Sequence, residues 1–273
     1  MLLVGCTLLV NQGDLSGGPE ENTPDANATG ADVAVVDTDA GTSTDASVDA
    51  GPEIVNIPGL IGYWRLDDET GLLAHDYSPR ANHGALLGSP TWAPKQQSAS
   101  AALMFDGVDD AVLVTGTAPY ATKNAAFSVS AWFYITDFGS GYPDIVQLRS
   151  DGNTPWHVLL CNRAEYLGIS LGAGDGWTPI KTQQLPTLDA WHHVVATYNG
   201  ADSMVIGNFT ITLDGVAQNL VAANGYGGQS QETRIGASSD ANRSNQFKGM
   251  IREVRIYNRL LTATEITELG SGK

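Results

Sequence analysis

"FSVSAWFYI", residues 127–135, alternates its side chains in a way that decides the fold class. On an extended chain Phe127, Val129, Ala131, Phe133 and Ile135 share one face, and Ser128, Ser130, Trp132 and Tyr134 share the other. That is the pattern of a half-buried strand in an antiparallel sheet. Outward from it, from about Ile54 onward, short apolar alternations recur, broken by Gly, Pro, Asn and Asp. They include "LIGYWRL", "ALMFDG", "DAVLVTG", "DIVQL", "HVLLC", "YLGISLG", "HHVVATY", "FTITLDG", "TRIGAS" and "GMIREVRIYN". Many short strands with turn residues between them predict a sandwich or barrel. The convincing helix signal lies at the end, where Thr262 precedes "ATEITEL" and Glu265 stands three residues later, as in a capping box.

The chain has 273 residues and a formal charge of −16. Lys and Arg are absent before Arg65, and residues 11–52 carry nine acids among Ala, Thr, Ser, Gly, Val and Pro, with no aromatic residue. Such a segment lacks the apolar surface to offset its chain entropy, and its like charges extend it, so residues 11–53 read as a disordered tether. The acidic balance repels nucleic acid and anionic lipid surfaces. The expected organisation is a signal-like segment at 1–10, the tether at 11–53 and one all-β domain at 54–273.

The two cysteines, Cys6 and Cys161, lie on either side of the tether. A bridge between a flexible end and a folded domain would order little, so no structural disulfide is expected. Cys161, after "HVLL", reads as a small buried hydrophobe. "LLVGC" resembles the lipobox of bacterial lipoproteins, which implies lipidation of Cys6 and anchorage in a cell envelope. Five residues precede Cys6, fewer than the apolar core of a signal peptide needs. The alternative is a truncated ordinary signal sequence, "MLLVGCTLLV", whose apolar run is too short to span a membrane. Both readings put the domain outside the cytoplasm.

"YWRLDDETG", "DYSPRANHGAL", "ALMFDGVDDAVLV", "FSVSAWFYI", "WHHVVATYNG", "ITLDGVAQ", "RIGAS" and "FKGMIREVRIYNRLLTATEITEL" occur in the order seen in the LamG-like jelly-roll domains of the concanavalin A-like lectin/glucanase superfamily. The sequence resembles that family over about residues 58–270. The resemblance implies a two-sheet antiparallel jelly roll with a short C-terminal helix. It also implies ligand binding by a concave face or loop rim in some members, often with calcium near one rim.

Hydrolases of the superfamily carry acids at alternate positions of one strand, because a glycosidase needs two carboxyls about 5–9 Å apart. This sequence has no such run; the nearest cluster, Asp67, Asp68 and Glu69, reads as a strand end entering a loop. His192 and His193 are adjacent on a strand and point to opposite faces, so they cannot share an ion, and one ring is expected packed, the other exposed. His75, His83 and His157 look isolated. "GYGG" at 225–228 is not followed by a helix and makes no phosphate loop.

Calcium is the metal candidate. "FDGVDD" offers Asp106, Asp109 and Asp110 with the Gly107 carbonyl, a hard-oxygen set, and Asp67 is a further possible ligand. In the family an aspartate is usual where Arg252 stands in "IRE". In strand alternation Arg252 shares a face with Val254 and Ile256, and an arginine on an apolar face calls for a partner. The expectation is that Arg252 meets the "FDGVDD" or Asp67/Asp68 carboxylates, its guanidinium standing in for a cation. That exchange disfavours a divalent ion there, while the remaining acids and carbonyls leave calcium open.

Trp64, Trp132 and Trp191 fall in strand blocks and are expected in the core, and Trp92 is expected to pack. Trp177, Tyr226, Tyr142 and Trp156 sit in or beside Gly- and Pro-rich loops and are the candidate ligand-stacking residues. The function expected is a non-catalytic, extracytoplasmic binding module for carbohydrate or a cell-surface protein, with no nucleic acid partner. The rivals are an adhesion module with a protein ligand and a glycoside hydrolase. A glycan binder shows aromatics with polar neighbours, whereas a protein binder shows a contiguous apolar patch.

Overall fold

The alternation at residues 127–135 builds the centre of one of two packed sheets. The computed structural model describes residues 57–93, 101–116, 118–122, 125–139, 143–148, 158–163, 166–171, 180–201, 206–222, 232–237 and 245–271. The chain divides into two units, Met1–Ala50 and Gly51–Lys273, of which the second holds all the described residues.

In chain order the strands are β1 (Leu60–Trp64), β2 (Leu73–Ala74), β3 (Gly84–Leu87), β4 (Thr91–Ala93), β5 (Ala102–Asp106) and β6 (Ala111–Val114). Then come β7 (Phe127–Asp137), β8 (Asp144–Leu148), β9 (Val158–Arg163), β10 (Tyr166–Leu171), β11 (Ile180–Thr182) and β12 (Trp191–Tyr198). Last are β13 (Phe209–Leu213), β14 (Val216–Ala217), β15 (Leu220–Ala222), β16 (Thr233–Ile235) and β17 (Lys248–Tyr257), followed by helix α1 (Ala263–Gly270). One sheet runs β14-β13-β12-β7-β17-β5-β4 with β1 also paired to β17, and the other runs β15-β11-β10-β9-β8-β16-β6-β3-β2. Every described pairing is antiparallel, the two-sheet jelly roll expected.

The core lies between the sheets. Phe127, Val129, Ala131, Phe133 and Ile135 of β7 are buried in it with Trp64, Phe105, Ile251, Val254 and Ile256. On the outer face of the first sheet, small side chains make room for the C-terminal segment. Ser128 Oγ donates to Arg259 O at 2.8 Å and accepts from Leu261 N at 3.0 Å. Leu261 and Leu269 pack there on Val195 and Tyr257. The helix starts as its sequence dictates: Thr262 Oγ1 accepts from Glu265 N, and the Glu265 carboxylate accepts from Thr262 N at 2.7 Å.

β17 departs from simple alternation. Arg252 pairs with Trp132 and Arg255 with Ser130, so three steps on β17 match two on β7. Glu253 is the extra residue, a β-bulge with φ of 56° whose N–H donates to Arg65 O at 3.0 Å. The bulge corrects the expectation for Arg252. It shares the outer face with Arg255 and Tyr257, while Val254 and Ile256 point into the core.

Two further expectations are corrected. Trp132 and Trp191 are half-buried on the outer face, whereas Trp64 is core as expected and Trp92 packs against its edge. His192 and His193 do point to opposite faces, but both are buried. His192 is held at the sandwich rim by Asp214 at 2.7 Å and Thr187.

Candidate functional site

Asp76 is a buried carboxylate that pins a loop against β1. It accepts from Tyr63 N at 2.9 Å, Ser78 N at 2.8 Å, Asn82 N at 2.9 Å and Ser78 Oγ at 2.9 Å. The neighbouring residue, Tyr77, is thereby fixed with its N–H donating to Tyr63 O at 2.8 Å, and the residue is 41% exposed. A cleft of about 370 Å³ lies beside it, lined by Ile57, Pro58, Gly59, Leu60, Ser78 and Pro79.

Polar groups surround this ring. The Arg65 guanidinium lies 5.3 Å from its centroid, His75 at 6.5 Å and Tyr63 at 6.0 Å. Arg65 pairs with Asp67 at 2.6 Å, and Asp68 holds His75 Nδ1 at 2.6 Å. Burial, with Asp68 and Asp67 nearby, pushes the Tyr77 phenol up, so it stays a neutral donor at physiological pH. Burial raises Asp67 as well, against the pull of Arg65. Tyr63 continues the stack: Arg255 sits over its ring at 4.2 Å, and its hydroxyl accepts from Arg255 at 2.8 Å while donating to Glu253 at 2.9 Å. Glu253 and Arg255 form an ion pair.

A second arginine–aromatic stack stands on the same sheet face. The Arg252 guanidinium lies 5.1 Å from the Trp132 ring and 4.8 Å from the Trp191 ring, at a residue exposure of 8%. Trp132 is fixed by donating Nε1–H to Leu269 O at 3.2 Å and by the His193 ring at 5.1 Å. Tyr134 lies 5.8 Å from Trp191.

The Asp106, Asp109 and Asp110 carboxylates come together, with one oxygen of each within 4.8 Å of the others. Much of that oxygen set caps the turn itself. Asp110 accepts from Ser89 N at 2.7 Å and Asp106 N at 2.8 Å, and Asp106 Oδ1 accepts from Val108 N at 2.7 Å. Burial raises the Asp110 pKa, against the pull of the Ser89 and Asp106 backbone hydrogen bonds. Asp67 is committed to Arg65. The set therefore suits a calcium ion only with water completing most of the shell. The expected Arg252 contact with these acids is not made. Lys248 stands there instead: it pairs with Asp106 across β5 and β17, its stem lies against Gly107, and its ammonium is 3.9 Å from Asp137. Arg252 is four residues further along β17, on the outer face.

A family model for the concanavalin A-like lectin/glucanases superfamily matches residues 106–267. The chain belongs to that superfamily. No curated protein matches it. Among solved structures, this superfamily member is similar to domain 4 of AbnA, a GH43 extracellular arabinanase from Geobacillus stearothermophilus, solved with arabinotriose. That match has a TM-score of 0.58 at 17% identity and covers 77% of this chain and 98% of that one. A botulinum neurotoxin type C structure, concerned with two ganglioside molecules, gives 0.56 at 18% identity, covering 78% and 51%. Trypanosoma rangeli sialidase with sialic acid gives 0.53 at 19% identity, covering 79% and 33%. The chain thus spans nearly all of the arabinanase domain but about half of the toxin chain. At these identities the likeness is one of fold.

Of the loop aromatics expected to stack on ligand, Trp177, Tyr226, Tyr142 and Trp156 lie outside the described residues, as do Cys6 and His157. His75 and His83 are not isolated: their rings are 5.2 Å apart, and His83 Nδ1 accepts from Asp76 N at 3.0 Å. Sequence reading missed Tyr77, Tyr63 and Arg65 as a group. "YWRLDD" and "HDYS" each looked like ordinary strand or loop, and the bridge between Trp64 and Asp76, with the Asp76 carboxylate on Tyr63 N, brings them together.

Proposed function

We propose that this superfamily member is a non-catalytic, extracytoplasmic carbohydrate-binding module whose sugar contact is the Tyr77 cleft. The observation that carries the reading is the exposed Tyr77 beside an open cleft, flanked by Arg65, Asp67, Asp68 and His75. An aromatic face takes the apolar face of a sugar ring, and charged neighbours take its hydroxyls. The same neighbours argue against hydrolysis. Asp67 and Asp68, the nearest carboxylate pair, are bound to Arg65 and His75, whereas a glycosidase needs one carboxyl to move a proton and another to attack or activate water. The arabinanase domain solved with arabinotriose, of nearly the same extent, adds support.

Binding in this reading is independent of calcium, because the acid turn is capped by backbone N–H groups and stands at the Lys248 end of β17, whereas the cleft residue Leu60 pairs at its Tyr257 end. The address outside the cytoplasm rests on "LLVGC" and the acidic segment behind it, with Cys6 as the lipid-bearing residue. The test is a glycan array probed with the chain in calcium and again in EDTA, with Tyr77→Ala alongside. Binding of a defined glycan in both buffers that Tyr77→Ala abolishes is expected. Absence of glycan binding, with a surface protein captured instead, would replace sugar by protein as the ligand.

A further inference from the structure

We propose that Arg252, Trp132 and Trp191 form a carboxylate-binding slot, so that the preferred ligand is a saccharide bearing a uronic acid residue. The inference rests on the carbohydrate reading above and adds the chemical class of the sugar. Arg252 is 8% exposed, its Nε is buried without a hydrogen-bond partner, and among the described residues no carboxylate or carbonyl accepts from its guanidinium. A buried charge left without an acceptor is costly, and two cation–π contacts offset that cost only in part.

The neighbouring acid does not supply the acceptor. Glu253 occupies the bulge and is engaged by Arg255 and the Tyr63 hydroxyl. The two indoles lie against the guanidinium at 5.1 and 4.8 Å. The indole rings offer the guanidinium no acceptor, so its N–H donors are left for a ligand. A carboxylate fits those donors through two parallel hydrogen bonds.

The walls are fixed before any ligand arrives, Trp132 by its bond to Leu269 O and Trp191 by Tyr134, so little ordering is required on binding. The slot also shares a sheet face with the cleft stack. Arg252 and Arg255 are separated by two β7 steps, about 7 Å along the strand, and Arg255 lies over Tyr63 next to Tyr77. A saccharide seated on Tyr77 therefore has the slot on the surface it runs across.

The experiment is calorimetric titration of the full chain with tetragalacturonate and with its fully methyl-esterified form, which keeps the rings and removes the charge. The acid is expected to bind at least tenfold more tightly than the ester. Arg252→Gln should abolish that preference, Arg252→Lys should retain part of it, and Arg234→Gln on the other sheet should leave it intact. Thermal melts of both Arg252 variants check folding, and the lysine variant carries the test if the glutamine variant unfolds. Equal binding of acid and ester, or an acid preference that is undiminished in the Arg252 variants, would overturn the slot while leaving the carbohydrate reading standing. Polyglutamate binding in place of tetragalacturonate, lost with Arg252, would overturn the sugar assignment. If neither saccharide binds, and no glycan on the array does, both readings fall together.

Discussion

His193 is the side chain through which pH acts on the packing of the C-terminal helix. It is 1% exposed, hydrogen-bonded to Ser130 Oγ at 2.8 Å, stacked near Trp132, and a Cβ on Gly270 would stand 3.1 Å from its Nδ1. Burial, then the Arg255 and Arg252 charges, hold its pKa down to about 4, with Asp214 pulling the other way. The unfolded chain takes up this proton near pH 6.5, before the folded one does. The contribution is therefore whole above that pH and is lost as pH falls toward 4, by roughly 3 kcal/mol. Urea melts at pH 7 and pH 4.5 should show the loss, and His193→Gln should flatten the dependence. A pH-independent midpoint in the unmutated chain would show that the ring is not held neutral. Arg252, on the same face, shows where residue-level reading stopped. Its need for a special environment was legible, but its side of the sheet was not, because Glu253 does not advertise the positive φ that turns the strand.

Two short elements show what local sequence does specify. The capping box at Thr262 and Glu265 forms as written, and Arg259 adds hydrogen bonds to Glu265 at 2.9 and 2.5 Å. Thr262→Ala should cost about 1 kcal/mol in denaturant unfolding, and an unchanged midpoint would mean that packing alone holds the helix. The "FDGVDD" turn was legible as an acid cluster, but the hydrogen bond that ties Asp110 to Ser89 was not, since Ser89 comes from a distant segment. Asp110→Ala should cost about 1–3 kcal/mol by leaving two N–H groups unpaired. Millimolar calcium in place of EDTA should move the melting midpoint by no more than about 2 °C. A larger rise that Asp109→Asn removes would establish a resident ion.

At the scale of the molecule, the strands and the helix were legible because alternation and turn residues are local signals, which β7 shows without interruption, while the two-sheet arrangement followed from the family resemblance. The proposed binding face was not. It depends on β1, β17 and the loop at residues 76–82 meeting at one edge, which no single stretch encodes. The acidic N-terminal segment belongs to the same scale. If Cys6 is the lipid-bearing residue, Cys6→Ser should shift the protein from the membrane to the soluble fraction of a bacterial host, and an unchanged distribution would remove the anchor. The central claim is that the outer-face cleft at Tyr77 binds carbohydrate. Its most direct test is to titrate the glycan that scores highest on an array into the chain and into Tyr77→Ala, with equal melting curves confirming that both are folded. A loss of at least tenfold in affinity is the predicted result. Undiminished affinity in the variant would put the sugar site elsewhere on the molecule and contradict the account.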